Sequence, residues 1–460
     1  MNTLGCQKWI GRSLAVLGFT ALWALGARAD APARPKQPNI IVIIADDLGW
    51  ADVGFHGAAI RTPHLDRLAQ EGIELTRFYT CPVCSPTRTG VMTGRYPNRM
   101  GMDGAPTQFP DNKGLPPDED TLAKMLGRAG YHHRHALGKW HLGTAARVFH
   151  PLRLGFTGFY GHYCGQIDHW THERGGERDW HRDFEPCADA GYSTHLLTRE
   201  AVRIVETTPA AEPFFIYLAY NAPHTPNQAP AEEIAKYDGV KLGPGQPPLA
   251  TYAAMVSVMD AGIGEVLAAL DHKGIADNTL VWFFSDNGGF GLKAGQRNPP
   301  FRDQKGTAYE GGIRVPALAR WPAQWRGGRK VDAVMGYVDV LPTLAAAAGY
   351  QYTPPKPVDG ITVADIIAGR QPAPDRAFYP DRGAVVTQRW KYINDELYDL
   401  AADPGETANV AAQSPEVVAR LQKQREYFLS LTGPKYIPPG FPPVKTGPPP
   451  KNWKMPEDGQ

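Results

Sequence analysis

Three short apolar runs, Ile40–Ala45, Phe214–Tyr220 and Leu280–Ser285, constrain this chain more than any other feature. Each is too short for a core helix, lacks polar alternation and is bounded by turn residues, so each reads as a strand buried on both faces. Helical patterns lie between them, at Thr121–Ala129, Thr194–Val205 and Tyr252–Leu270. Strands alternating with helices predict an α/β fold, a large and mostly parallel sheet sandwiched by helices. In such sheets, ligands bind at the carboxyl ends of the strands.

The texture changes after about Arg370. Short, closely spaced strand candidates (Ala384–Gln388, Trp390–Asn394, Leu397–Asp399) and a helix over Pro415–Leu429 predict a small α+β subdomain with an antiparallel sheet. The expected organisation is a signal peptide (1–29), a catalytic domain (30–369), this subdomain (370–432) and a proline-rich tail (433–460). Pro438-Pro439 and Pro448-Pro449-Pro450 make that tail extended.

The N-terminus carries Lys8 and Arg12, an apolar stretch from Leu14 to Leu25, and the small-x-small site Ala27-Arg28-Ala29. That is the pattern of a secretory signal peptide, which places the mature protein in the periplasm or outside the cell. No later run of about 20 apolar residues is evident, so no membrane span is expected after cleavage. The net charge is +1, without a basic block, which argues against a nucleic-acid partner. Cleavage removes Cys6 and leaves Cys81, Cys84, Cys164 and Cys187. In an oxidising compartment, Cys164–Cys187 is the expected structural disulfide, and Cys81 has no assigned role.

Two strands end in oxygen donors. Ile40–Ala45 runs into Asp46-Asp47, and Leu280–Ser285 runs into Asp286-Asn287-Gly288-Gly289. On one edge of one sheet these four side chains converge on a single cation. Carboxylate and amide oxygens favour a hard ion, calcium or magnesium, over zinc, and calcium is favoured outside the cytoplasm. Between the strands lies Cys84-Ser85-Pro86-Thr87-Arg88. Pro86 suits a first helical turn, which puts Cys84 at a helix N-terminus and Arg88 on the same face four residues on. Amide groups, helix dipole and guanidinium then converge on one point fit for an oxyanion. Lys139 and His141 follow a strand-like Tyr131–Leu137, and His224 follows Phe214–Tyr220, so both fall on the same sheet edge. The histidine- and aromatic-rich stretch Gly161–Phe184, with His162, Trp170, His172, Trp180 and His181, matches no closed zinc spacing. A substrate-facing loop pinned by Cys164–Cys187 is expected there.

Cys84-Ser85-Pro86-Thr87-Arg88 with Thr93-Gly94 resembles the signature of the type I sulfatases, formylglycine enzymes with an alkaline phosphatase-like fold. The resemblance runs from Asn39 to about Asn409. It includes Ala45-Asp46-Asp47-Leu48-Gly49, Gly138-Lys139-Trp140-His141-Leu142-Gly143, Ala222-Pro223-His224, Ser285-Asp286-Asn287-Gly288, and Lys305 ahead of Glu310-Gly311-Gly312-Ile313-Arg314. Leu397-Tyr398-Asp399-Leu400, Asp403-Pro404 and Glu406 close it. Gly54-Phe55-His56-Gly57, Arg61-Thr62-Pro63-His64-Leu65 and His172-Glu173-Arg174 look most like the arylsulfatase B (N-acetylgalactosamine 4-sulfatase) branch.

This resemblance implies a sulfuric ester hydrolase acting on a sulfated glycan or an aryl sulfate. It implies that a maturation enzyme oxidises Cys84 to formylglycine (3-oxoalanine), whose hydrate attacks sulfur and passes through a covalent sulfate ester. Asp46, Asp47, Asp286 and Asn287 would hold one calcium ion together with the Cys84-derived side chain. Arg88 and Lys139 would stabilise the hydrate, and His141 would accept its proton. His224 and Lys305, with Lys139, would contact the sulfate, and His224 would protonate the leaving oxygen. Phosphate or phosphonate ester hydrolysis is the alternative within the same superfamily.

Overall fold

The computed structural model describes residues 37–104, 112–240, 250–291, 298–440 and 449–456. All lie in one compact unit that begins at Gln37. The expected signal peptide, with Lys8, Arg12 and Cys6, lies outside the described residues.

Among these residues the main sheet has ten strands: β1 (Asn39–Ala45), β2 (Ile73–Leu75), β3 (His133–Lys139), β4 (Gly158–His162), β5 (His181–Arg182), β6 (Glu185–Pro186), β7 (Phe214–Ala219), β8 (Thr279–Ser285), β9 (Ala317–Arg320) and β10 (Arg329–Val331). Their spatial order is β10-β2-β9-β8-β1-β7-β3-β4-β5-β6. The five central strands, β8-β1-β7-β3-β4, all run parallel. Antiparallel pairings flank them, β8 with β9 and β4 with β5.

β1 shows why the parallel centre forms. Ile40, Val42 and Ile44 enter one core, Ile41, Ile43 and Ala45 enter the other, and all are fully buried. Each buried isoleucine contributes roughly 1.5–3 kcal/mol, so a strand apolar on both faces belongs in the middle of a covered sheet. The first core is covered by helices α2 (Cys84–Thr93) and α3 (Leu122–Arg128). The second is covered by α1 (Pro63–Glu71), α4 (Ser193–Thr207) and α5 (Ala250–His272). The fold is therefore the expected helix-sheet-helix sandwich.

α5 corrects one expectation. It is long and apolar enough to cross a membrane, although no such run was expected beyond the signal peptide. In the fold, 78% of its apolar window is buried, because it packs along the sheet with α1 and α4. Its uniform apolarity follows from a central position in the helical layer.

The C-terminal region forms the antiparallel sheet β11 (Ala384–Val386), β12 (Trp390–Ile393) and β13 (Glu396–Asp399). Helix α6 (Pro415–Ser430) lays Leu421 and Phe428 into the same core that receives Tyr392 and Leu397. In the described part of the tail, buried Trp453 donates its indole N–H to the Arg174 carbonyl at 2.9 Å.

The expected Cys164–Cys187 disulfide is absent, and both thiols are free. Cys164 is buried in the α2/α3 core, whereas Cys187 packs against the core on the opposite side of the sheet. The backbone N–H of Cys164 donates to Asp179 Oδ2 at 2.7 Å, and the Cys187 thiol faces Asp189 at 3.9 Å. Cys187→Ser should accordingly change stability by less than about 0.5 kcal/mol in denaturant titration. A loss of about 2–5 kcal/mol would show that a disulfide had been removed.

The histidines of Gly161–Phe184 turn inward. His162, His169, His172 and His181 are buried and stack on Trp180, Tyr192, Trp180 and Tyr163 respectively. Burial pushes His162 down to about 3 and His169 to about 4, so both rings are neutral packing elements.

Candidate active site

Ten side chains singled out in the sequence meet at the carboxyl edge of β8, β1, β7 and β3. Asp46 and Asp47 leave β1, Asp286 and Asn287 leave β8, Lys139 closes β3 ahead of His141, and His224 follows β7. The backbones of the first two strands are tied there: Asp286 N–H donates to the Ala45 carbonyl at 3.0 Å, and Asp46 N–H to that of Ala222 at 3.0 Å. Asp47 (φ 67°) and His141 (φ 54°) hold left-handed backbone conformations. Such conformations in non-glycine residues cost energy and concentrate at functional sites.

α2 begins at Cys84 and is buried along its whole length. Its first turn points at the sheet edge, with the Cys84 thiol 3.5 Å from Asp46 Oδ1. One turn on, Arg88 is fully buried and donates through Nε and Nη2 to Asp286 Oδ2 at 3.0 and 2.7 Å. Its Nη1 reaches the Lys139 carbonyl at 3.0 Å. Lys139 Nζ donates to Asp46 Oδ2 at 2.6 Å. Lys305, arriving on a loop beyond β8, bonds Asp47 at 2.6 Å. His224 Nε2 lies 3.6 Å from the same carboxylate, and Asn287 Nδ2 donates to it at 2.8 Å.

The charges explain the electrostatics. Burial works to raise the Asp46 carboxyl, but Lys139, His224, Arg88 and Lys305 together hold it well below the usual carboxylate range. Asp286 is pushed up, first by burial and then by Asp46, against Arg88 and Lys139. Burial, with Asp286 next, raises the Cys84 thiol to about 12, so an unmodified thiol here stays protonated at neutral pH and is a poor nucleophile. His141 is driven well down by burial and then by Lys139 and Arg88, which leaves a neutral imidazole whose buried Nδ1 has no partner.

The residues fit a hard cation. Asp46, Asp47, Cys84 and His224 present ligand atoms that all lie within 4.8 Å of one another. Asn287 Oδ1 is buried without a hydrogen bond, and Asp286 carries an unfavourable charge beside Asp46. A cation among these oxygens would satisfy the first and relieve the second.

Several supporting residues were not foreseen. Ser85 Oγ donates to the His141 carbonyl at 2.7 Å, and Ser285 Oγ bridges Leu48 N–H and the Asn287 carbonyl. Tyr217 places its hydroxyl 3.5 Å from Arg88 Nη1, and His169 holds the His224 carbonyl at 3.1 Å. The two serines adjoin recognised motif residues, which was the available signal. Tyr217 and His169 are fixed only by sheet register and by loop folding.

A sulfatase family profile matches residues 38–350. The chain belongs to the sulfatase family. It is a sulfuric ester hydrolase, as its named relatives are. A second profile, described as N-sulphoglucosamine sulphohydrolase, C-terminal, matches residues 301–428. N-acetylgalactosamine-6-sulfatase of Mus musculus is 34% identical over 373 residues, covering 76% of this chain and 68% of that relative. Arylsulfatase J of Mus musculus is 29% identical over 477 residues, covering 89% and 79%. Among solved structures, Ps i-CgsB in complex with k-i-k-neocarrahexaose is 33% identical with a TM-score of 0.77, over 86% of this chain and 93% of that one.

Proposed function

We propose that this sulfatase removes sulfate from a sulfated glycan, at a nucleophile made from Cys84 beside a calcium ion. The observation that carries the reading is the position of Cys84. It stands at a buried helix start, 3.5 Å from Asp46, at an edge whose carboxylates pair with Arg88, Lys139 and Lys305. A thiol raised to about 12 has no nucleophilic role there, whereas oxidation to formylglycine gives the position a purpose. Asp46, Asp47, Asp286, Asn287 and the residue-84 oxygen would hold calcium. Formylglycine would supply a hydroxyl nucleophile, and calcium would draw charge from the sulfate.

The chain's own side chains do the rest. Lys139, Lys305 and His224 bind and orient the sulfate oxygens. His224 Nε2, on the Asp47 side, delivers a proton to the departing oxygen. His141, kept neutral by its surroundings, has the capacity to accept one. Arg88 keeps Asp286 and the Lys139 backbone in register. Support for a glycan comes from Ps i-CgsB, solved with an oligosaccharide, and from N-acetylgalactosamine-6-sulfatase among the relatives. The N-terminal pattern supports export to the periplasm or beyond, and a maturation enzyme would act on Cys84 before folding buries it.

The test is a pair of substrates differing only in the ester. An aryl sulfate and the matching aryl phosphate are assayed with matured enzyme, followed by sulfated oligosaccharides of defined regiochemistry. The sulfate ester should be turned over at least about 10²-fold faster in kcat/KM, as expected where one transition state is preferentially bound. Preference for the phosphate ester would refute the reading.

A further inference from the structure

The catalytic edge is connected to the C-terminal sheet by a buried ion cluster that no catalytic role explains. Lys391, on the central strand β12, is fully buried. Its Nζ lies 2.8 Å from Glu406 Oε1 and 3.1 Å from Glu310 Oε1, and both carboxylates are buried as well. Glu406 Oε2 also accepts the backbone N–H of Glu310 at 2.6 Å, and Glu406 adopts a left-handed backbone (φ 55°). The other Glu310 oxygen accepts from the Tyr79 hydroxyl at 2.9 Å and faces Arg314.

Glu310 opens the short helical turn Glu310–Ile313. On one side, Gly288 N–H donates to the Gly312 carbonyl at 2.9 Å, directly beside Asn287. On the other side, Gly311 N–H donates to the Arg302 carbonyl at 2.7 Å, at the start of the loop that carries Lys305. The approach is close: a Cβ on Gly288 would stand 1.8 Å from the Gly311 carbonyl oxygen, and one on Gly311 would stand 2.3 Å from that of Asp303. The turn is thus wedged between the strand end bearing Asn287 and the loop bearing Lys305. Asn287 is also held by Asp47 and Ser285, so a displacement of Glu310 falls mainly on the Lys305 loop. The C-terminal profile match likewise starts at residue 301 and so includes the Lys305 loop with Glu310, Lys391 and Glu406.

We infer that Lys391 is a positioning residue: it clamps Glu310 and Glu406 so that the C-terminal sheet sets the place of Lys305 at the catalytic edge. Without its ammonium, two buried carboxylates would face each other with one cation fewer between them. The turn would shift, and misplacement of about 1 Å at a reacting group costs on the order of 10²-fold. The inference rests on the sulfate-binding role proposed for Lys305.

The experiment is a double-mutant cycle between Lys391→Met and Lys305→Ala in matured enzyme, with kcat and KM for an aryl sulfate and the melting temperature of each variant. Lys391→Met should lower kcat by about 10²-fold with KM little changed, and should cost less than about threefold once Lys305 is already alanine. Lys391→Met/Glu406→Gln, which removes the clamp and one opposing charge together, should recover most of the lost kcat. It also serves if the single variant does not fold. Equal fold-losses in both Lys305 backgrounds would overturn the inference, as would a lower melting temperature with unchanged kcat. If Lys305→Ala itself leaves activity intact, the proposed role of Lys305 fails instead, and the two results are distinguishable.

Discussion

Cys84→Ala is expected to remove sulfate-ester turnover, with a loss of at least about 10⁴-fold in kcat, while the protein still folds. The thiol is small and buried at the start of α2, and its hydrogen-bond partner, Asp46, keeps Lys139. Alanine in its place therefore removes the reacting atom and little else. The companion measurement is mass spectrometry of the peptide carrying residue 84 from protein made with its maturation enzyme. Conversion of the thiol to an aldehyde should track activity across preparations. A fully active preparation with an intact thiol would sink the mechanism, and so would Cys84→Ala activity within tenfold of the parent.

Chelation is expected to have the second-largest effect. Asp46, Asp47 and Asp286 crowd one edge, paired with Lys139, Lys305 and Arg88 respectively. Calcium there would satisfy Asn287 Oδ1, which is buried without a hydrogen bond. Exhaustive chelation should abolish turnover, and calcium should restore it. The melting temperature offers a readout independent of catalysis, since a ligand at about 100 times its Kd stabilises the folded state by roughly 2.7 kcal/mol. Asp286→Asn should weaken that calcium-dependent shift. Magnesium should serve less well, because it demands near-ideal octahedral geometry that a mixed carboxylate and amide site does not impose. Full activity after chelation, with no shift in melting on adding calcium, would exclude a cation at this site.

The contrast between Cys84 and Cys164 shows where sequence reasoning holds and where it stops. The helix start at Cys84 was legible because Pro86 and Arg88 sit at spacings that local geometry dictates within one turn. The pairing of Cys164 with Cys187 was not. Both cysteines sit in one loop-rich stretch, yet the sheet passes between them, and chain proximity carries no information about which face a residue reaches. α5 misled for a related reason, since a helix apolar all round has the same composition in a core as in a membrane. Its place beneath α1 and α4 decides between the two.

By itself, the sequence determined the alternating strands and helices, the oxygen donors at the ends of β1 and β8, and the helix start at Cys84. These follow from side-chain period and local backbone preference, which act over a few residues. Strand order along the chain also put Lys139, His141 and His224 on that sheet edge, but only the tertiary structure decided that Lys305 reaches it. It also decided that Tyr217 and His169 brace that edge, and that Lys391 reaches the site through Glu310. Those contacts join residues from tens to hundreds of positions apart. They depend on strand order and on which core each side chain enters, because a buried polar or charged group is costly unless a partner meets it there.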